Sequence, residues 1–365
     1  MRKMLAGAFA AALAVAAAAA SAQTSLRIGL AEDPDVLDPT LARTFVGRIV
    51  FASLCDKLFD IDENLKIVPQ LATSYEWSAD NKSLTIKLRA GVKFHDGETM
   101  DAEAVRYSLD RHKNMQGSTR RGELAPVDKI EVVDPLTVRL TTAAPFSPLL
   151  AQLTDRSGMI VSPKAAQAAG ANFGAKPVCA GPFKFVERVA QDRIVVERFA
   201  DYWNKGEINF DRITYLPIVD STVRLANLRA GQLDFIERMA ASDAASVRRD
   251  DKLKLSKIVE LGYQGITINT GKSDQGKNSA LGKDPRVREA FELSLDRDAI
   301  IQVVMEGEAV PGNQYVAPGN PFYGKGSPLP KRDVNRAKQL LRDAGIPNPS
   351  FTMMTADRKS TRLNS

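Results

Sequence analysis

A histidine beside an aspartate can pass a proton, and this chain has one such step, His95-Asp96, within KFHDGETMDAEAVRYSLDR (93–111). The only other histidine is His112. Proton transfer needs the carboxylate on the far side of the imidazole and a nucleophile or water on the near side. Adjacent side chains in a tight turn diverge instead, and Gly97 marks a turn. No Gly-x-Ser-x-Gly elbow, His-Glu-x-x-His pair or glycine-rich phosphate loop occurs elsewhere to supply the missing partners. Glu32, Asp33 and Asp35 would suit glycoside hydrolysis if two of them faced each other across a bond, but all three share one proline loop, EDPDVLDPT. Neither histidine has a cysteine or second histidine at ligand spacing. The expectation is therefore no catalytic residues, no metal site and no cofactor, with His95 in a scaffold turn.

The elements around these residues alternate between strand and helix. Leu26 to Leu30 alternates like a first strand, and a helix is expected from Phe45 to Phe59. Leu84, Ile86 and Leu88 alternate with Thr85, Lys87 and Arg89, a strand with one packed face. Ile130 to Leu140 reads as a hairpin about Asp134-Pro135. A strand should end at Phe94, and Thr99 or Asp101 should cap a helix with Val105, Ser108 and Leu109 on one face. Ser221 is placed as the cap of a helix closing at Gly231, before a strand over Leu233 to Phe235. Further helices begin at Asp284-Pro285 and at Asp333, the last closing at Gly345. Trp77 and Trp203 are read as core. The class is mixed α/β with several lobes.

Both ends of the chain read differently from its body. Arg2 and Lys3 precede an apolar run that closes at Ala20-Ser21-Ala22, the pattern of a cleaved secretory signal over residues 1–22. No cysteine follows the cleavage site, so a soluble exported protein is expected, not a lipid-anchored one. Residues 357–365, DRKSTRLNS, match one translated frame of a widely used sequencing-library adapter. They are expected to be an artefact, with the natural chain continuing past Ala356. The net charge of +6 shrinks accordingly: the signal contributes +2 through Arg2 and Lys3, and the tail +2 through Arg358, Lys359 and Arg362 against Asp357, leaving +2. With no long Lys/Arg run, nucleic acid is excluded as a partner.

The opening stretch also carries a resemblance. PQLATSYEWSADNKSLTIKLRAGVKFHDGETMDAEAVRYSLDR (69–111) resembles the signature segment of the bacterial extracellular solute-binding proteins of family 5, the peptide and nickel class. VCAGPFKFVE (178–187), DYWNKGEINFDRITY (201–215), VRLANLRAGQLDF (223–235), DPRVREAFELSLDRDAII (284–301) and DVNRAKQLLRDAGIP (333–347) agree in order. The resemblance implies a periplasmic binding protein type 2-like fold of two lobes. Lobe I would span 23–260 with an extra subdomain inserted at about 65–175, and an incomplete lobe II would span 261–356, opening on a strand over Gly262 to Asn269. It further implies a periplasmic receptor, not an enzyme, that closes over a peptide and delivers it to the permease and ATPase of an ABC importer, and that is a monomer at full length. A metal chelate, haem, opine or oligosaccharide is the alternative cargo.

Ligand contacts are expected on the loop after the first strand, at Arg43, Thr44 and Phe45, and at the lobe crossing, at Tyr263 and Gln264, because irregular segments beside a cleft carry recognition. Cys55 and Cys179 are the only cysteines. In an oxidising compartment two thiols invite a disulfide. Cys179 stands where relatives usually carry glycine or another small residue, which a paired change with Cys55 would explain. Two buried free thiols remain the alternative.

Overall fold

The computed structural model describes residues 24–259 and 261–354. The expected signal segment and the 357–365 tail lie outside the described residues. The chain divides into two compact units between Arg238 and Met239.

The first unit holds every described strand. In chain order these are β1 (Ser25–Leu30), β2 (Phe59–Ile61), β3 (Ile67–Pro69), β4 (Ala72–Trp77), β5 (Ser83–Leu88), β6 (Val127–Asp134), β7 (Thr137–Thr142), β8 (Phe183–Val189), β9 (Arg193–Arg198), β10 (Arg212–Pro217) and β11 (Phe235–Ile236). One sheet has the order β11-β1-β10-β9-β8, with β1 parallel to both neighbours and the remaining pairs antiparallel. Parallel neighbours need long crossovers. Between β1 and β8 the chain builds a second, antiparallel sheet of order β4-β5-β7-β6 and the short β2-β3 pair.

The helix Val46–Leu54 buries Val46, Val50, Phe51 and Leu54 in the core of the first sheet, beside Ile28, Leu30, Val196 and Tyr215. It stops short of the expected Phe59. Cys55 turns extended, with φ −132° and ψ 108°, and Phe59 instead opens β2. In the second sheet Leu84, Ile86 and Leu88 are buried while Lys87 is exposed, as the alternation requires. The β6-β7 hairpin turns at Asp134, whose Oδ1 accepts the Leu136 N–H at 2.9 Å. Against this sheet lies the helix Ala102–Asn114, capped by Asp101, which accepts the Ala104 N–H. No strand forms up to Phe94. Lys93 and Thr99 form an isolated bridge across the turn, with Phe94 donating to the Glu98 carbonyl and Met100 to the Val92 carbonyl. The helix Ser221–Arg229 is capped one residue earlier than expected, by Asp220, which accepts from Thr222 and Val223, and Gly231 follows at φ +70°.

The second unit is helical. Asp284 caps Pro285–Ser294, Asp296 caps Arg297–Met305, and Asp333 caps Val334–Asp343. Its core is small: Ala290, Ala337 and Leu340, with Leu293 and Leu341 packed against them. The expected strand over Gly262 to Asn269 is absent. No strand exists in this unit among the described residues to take its hydrogen bonds, and a lone strand has nothing to hold it.

Candidate functional site

The His95 turn is structural. His95 Nε2 donates to the Gly181 carbonyl at 3.0 Å, and Nδ1 accepts from the Cys179 N–H at 3.4 Å. Its ring meets Phe199 edge-on at 5.0 Å between centroids. Asp96 turns elsewhere, accepting from Ser162 Oγ at 2.6 Å and from the Glu98 N–H at 3.2 Å. Burial pushes the imidazole down to about 4. His112 is fully buried, its Nε2 donating to the Met159 carbonyl at 2.9 Å and its Nδ1 accepting from Thr40 Oγ1 at 2.8 Å. Burial lowers it to about 4 as well. Beside it Arg111 forms a buried two-pronged pair with Asp38, at 2.8 and 2.6 Å. No group of three or more His, Cys, Asp or Glu side chains among the described residues could hold a metal ion.

Sequence reasoning missed Asp56. This buried carboxylate accepts from Tyr202 Oη at 3.0 Å and Trp203 Nε1 at 2.7 Å, while Arg89 lies 3.9 Å above the Trp203 ring. Burial raises Asp56 to about 6 despite those donors. Its partners are about 147 residues away in sequence, and no local pattern could have joined them. Cys55 and Cys179 are joined, with Sγ–Sγ 2.01 Å and Cα–Cα 4.9 Å.

The more open chemistry lies at the carboxyl ends of the parallel strands, the place where α/β sheets receive ligands. Glu32, Asp33 and Asp35 follow β1, and Glu237 and Arg238 follow β11. Each acid has a task. Glu237 accepts the Ala31 N–H at 2.6 Å, and Asp33 pairs with Arg188 at 3.0 Å. Asp35 accepts from the Arg43 N–H at 2.8 Å, from the Thr44 N–H at 3.4 Å and from Thr44 Oγ1 at 3.0 Å. Partial burial would raise Asp35, but these donors outweigh it and hold the carboxyl below its ordinary value. The structure thus brings Arg43 and Thr44 onto one carboxylate, with Phe45 next in line. The Phe45 ring is 45% exposed. The Arg238 guanidinium lies 4.7 Å and the Arg48 guanidinium 5.7 Å from its centroid. Arg238 reaches Glu32 at 3.5 Å, and Arg48 is held by Asp155 at 2.6 Å. Buried Arg224 fixes the ends of this frame, donating to the Ile218, Val219 and Arg238 carbonyls. Arg238 itself sits at φ +49°, a backbone setting that other contacts must hold. Tyr263 and Gln264 belong to the second unit, where both are exposed on a segment without regular secondary structure.

The carboxyl ends of β1 and β11 thus carry polar loops and a half-exposed aromatic ring with two guanidinium groups near it. The chain belongs to the bacterial extracellular solute-binding proteins of family 5, whose middle-region model matches residues 66–364. It is 34% identical over 319 residues to the glutathione-binding protein GsiB of Pectobacterium atrosepticum, covering 87% of this chain and 60% of that protein. It is 32% identical to GsiB of Salmonella typhimurium, covering 89% of this chain and 62% of that one. Among solved structures, the ABC transporter-associated periplasmic binding protein DppA of Helicobacter pylori, in complex with peptide STSA, superposes with a TM-score of 0.78 at 25% identity, covering 89% of this chain and 67% of that one. The PBP AgaA in complex with agropinic acid, from A. tumefaciens R10, gives a TM-score of 0.76 at 32% identity, covering 89% of this chain and 65% of that one. The chain therefore spans about 60% of the length of the curated relatives it matches. The expected family and mixed α/β class are borne out.

Proposed function

We propose that this chain is the ligand-capturing part of a periplasmic receptor that takes up a short peptide and hands it to the permease of an ABC importer, without turning it over. The observation that carries this reading is the family match over residues 66–364 together with the 34% identity to a glutathione-binding protein. Arg43, Thr44 and Phe45 would contact the ligand from the first unit, and Tyr263 and Gln264 from the second. In this proposal residues 1–22 are the export signal, 23–260 supply lobe I with its inserted subdomain, and 261–356 begin lobe II. The test is isothermal titration with glutathione, with the mixture then analysed for products. Saturable binding with the peptide recovered intact is expected; turnover would replace the receptor with an enzyme.

An opine is the second reading, favoured by the 32% identity to AgaA, whose structure holds agropinic acid. Agropinic acid binding where glutathione does not would decide for it.

A further inference from the structure

The loop that carries Phe45 is unevenly balanced in charge. Arg48 has Asp155 at 2.6 Å, and Arg238 has Glu32 and Glu237, each at 3.5 Å. Asp35 uses both oxygens on the Arg43 and Thr44 N–H groups and the Thr44 hydroxyl. The Arg43 side chain is exposed and has no hydrogen-bond or ion-pair partner among the described residues. It stands on a backbone that Asp35 holds in place, two residues before a half-exposed ring. The following helix, Val46–Leu54, has no side-chain cap and no acidic residue in its first turn, and the carboxylate ahead of it, Asp35, is taken up by the Arg43 and Thr44 N–H groups and the Thr44 hydroxyl.

We propose that Arg43 and Phe45 form a subsite for a ligand carboxylate, the Arg43 guanidinium taking the carboxylate in a two-pronged pair and the Phe45 ring packing on the carbon chain beside it. This rests on the receptor reading above and adds to it the chemical class of the ligand: an acid, held by its anionic end at the carboxyl edge of β1. A guanidinium matches a carboxylate in two parallel hydrogen bonds, which a lysine ammonium cannot copy. The neighbouring Arg48 and Arg238 are already paired and serve to hold the ring.

The experiment titrates the chain with S-methylglutathione, whose blocked sulfur cannot exchange with Cys55–Cys179, and with its dimethyl ester. Wild type should bind the acid about tenfold more tightly than the ester. Arg43→Gln should weaken the acid about tenfold and leave acid and ester alike, with Arg43→Lys between. Tryptophan fluorescence checks that each variant is folded. Equal binding of acid and ester by wild type, or unchanged acid binding by Arg43→Gln, overturns the subsite and leaves the receptor standing. Binding of neither compound by wild type sinks the peptide-receptor reading and the subsite with it.

Discussion

His95 and His112 each donate from Nε2 to a carbonyl; the Cys179 N–H facing Nδ1 holds His95 neutral, and full burial favours the neutral ring of His112 beside Thr40. Their folded values, about 4 against 6.5 for a free imidazole, mean that the unfolded chain takes up protons first as pH falls. Stability is whole above pH 6.5 and is lost down to pH 4, by about 3 kcal/mol for each ring. Asp56 works the other way. Its value is raised from 3.8 to about 6, so its ionised form costs stability at neutral pH, and acidification through that window returns it. Two rings outweigh one carboxyl, and urea midpoints should fall between pH 6.5 and pH 4. The fall should be steeper in Asp56→Asn. Midpoints that stay level across that range would contradict the buried neutral imidazoles. The turn chemistry of His95-Asp96-Gly97 was legible because it is local. Asp56 was not, because what defines it is a pair of aromatic donors brought from Tyr202 and Trp203 by the sheet.

At the scale of elements, Cys55 ends the helix Val46–Leu54 and Cys179 leads into β8, so the disulfide staples a helix end to the sheet it packs on. The two cysteines are 124 positions apart, and closing a loop of that size stabilises by up to about 5 kcal/mol on the chain-entropy account. Cys55→Ala with Cys179→Ala should lower the urea midpoint of the first unit without abolishing its fold. An unchanged midpoint would show that the bond adds nothing to stability. Helix starts were legible at Asp101, Asp284 and Asp333, where an aspartate precedes the apolar pattern, whereas at Ser221 the cap fell one residue earlier, on Asp220. The Phe45–Phe59 helix was overdrawn for a tertiary reason. Apolar residues continue through Leu58 and Phe59, but these belong to the core of the second sheet, and the chain must leave the helix to reach it.

The molecule as a whole has one well-packed unit and one thinly packed one. A core of Ala290, Ala337 and Leu340 removes little apolar surface from water, and small cores give marginal stability. Trp77 and Trp203, the only tryptophans, lie in the first unit, so their fluorescence follows that unit alone, while far-ultraviolet dichroism also follows the helices of the second. The dichroism change should begin at lower urea than the fluorescence change. Coincident curves would show a single cooperative block. The missing strand at Gly262–Asn269 belongs to this scale too. The resemblance implied it, yet a strand exists only when a neighbour pairs with it, and among the described residues of this unit no strand is there to do so.

The placement of β1 between β10 and β11 also sets the order of folding. Ser25 pairs with Arg212 and Ile28 with Phe235, so the first strand to be synthesised waits for some of the last in its unit. Contacts this distant in sequence are slow to close. The five-stranded sheet cannot be completed until the segment through Ile236 is in place beside β1. The antiparallel sheet of β4 to β7, finished by Thr142, is free to form well before it. β1 therefore stays without its sheet partners until the segments carrying β10 and β11 reach it, while β4 to β7 pair among themselves.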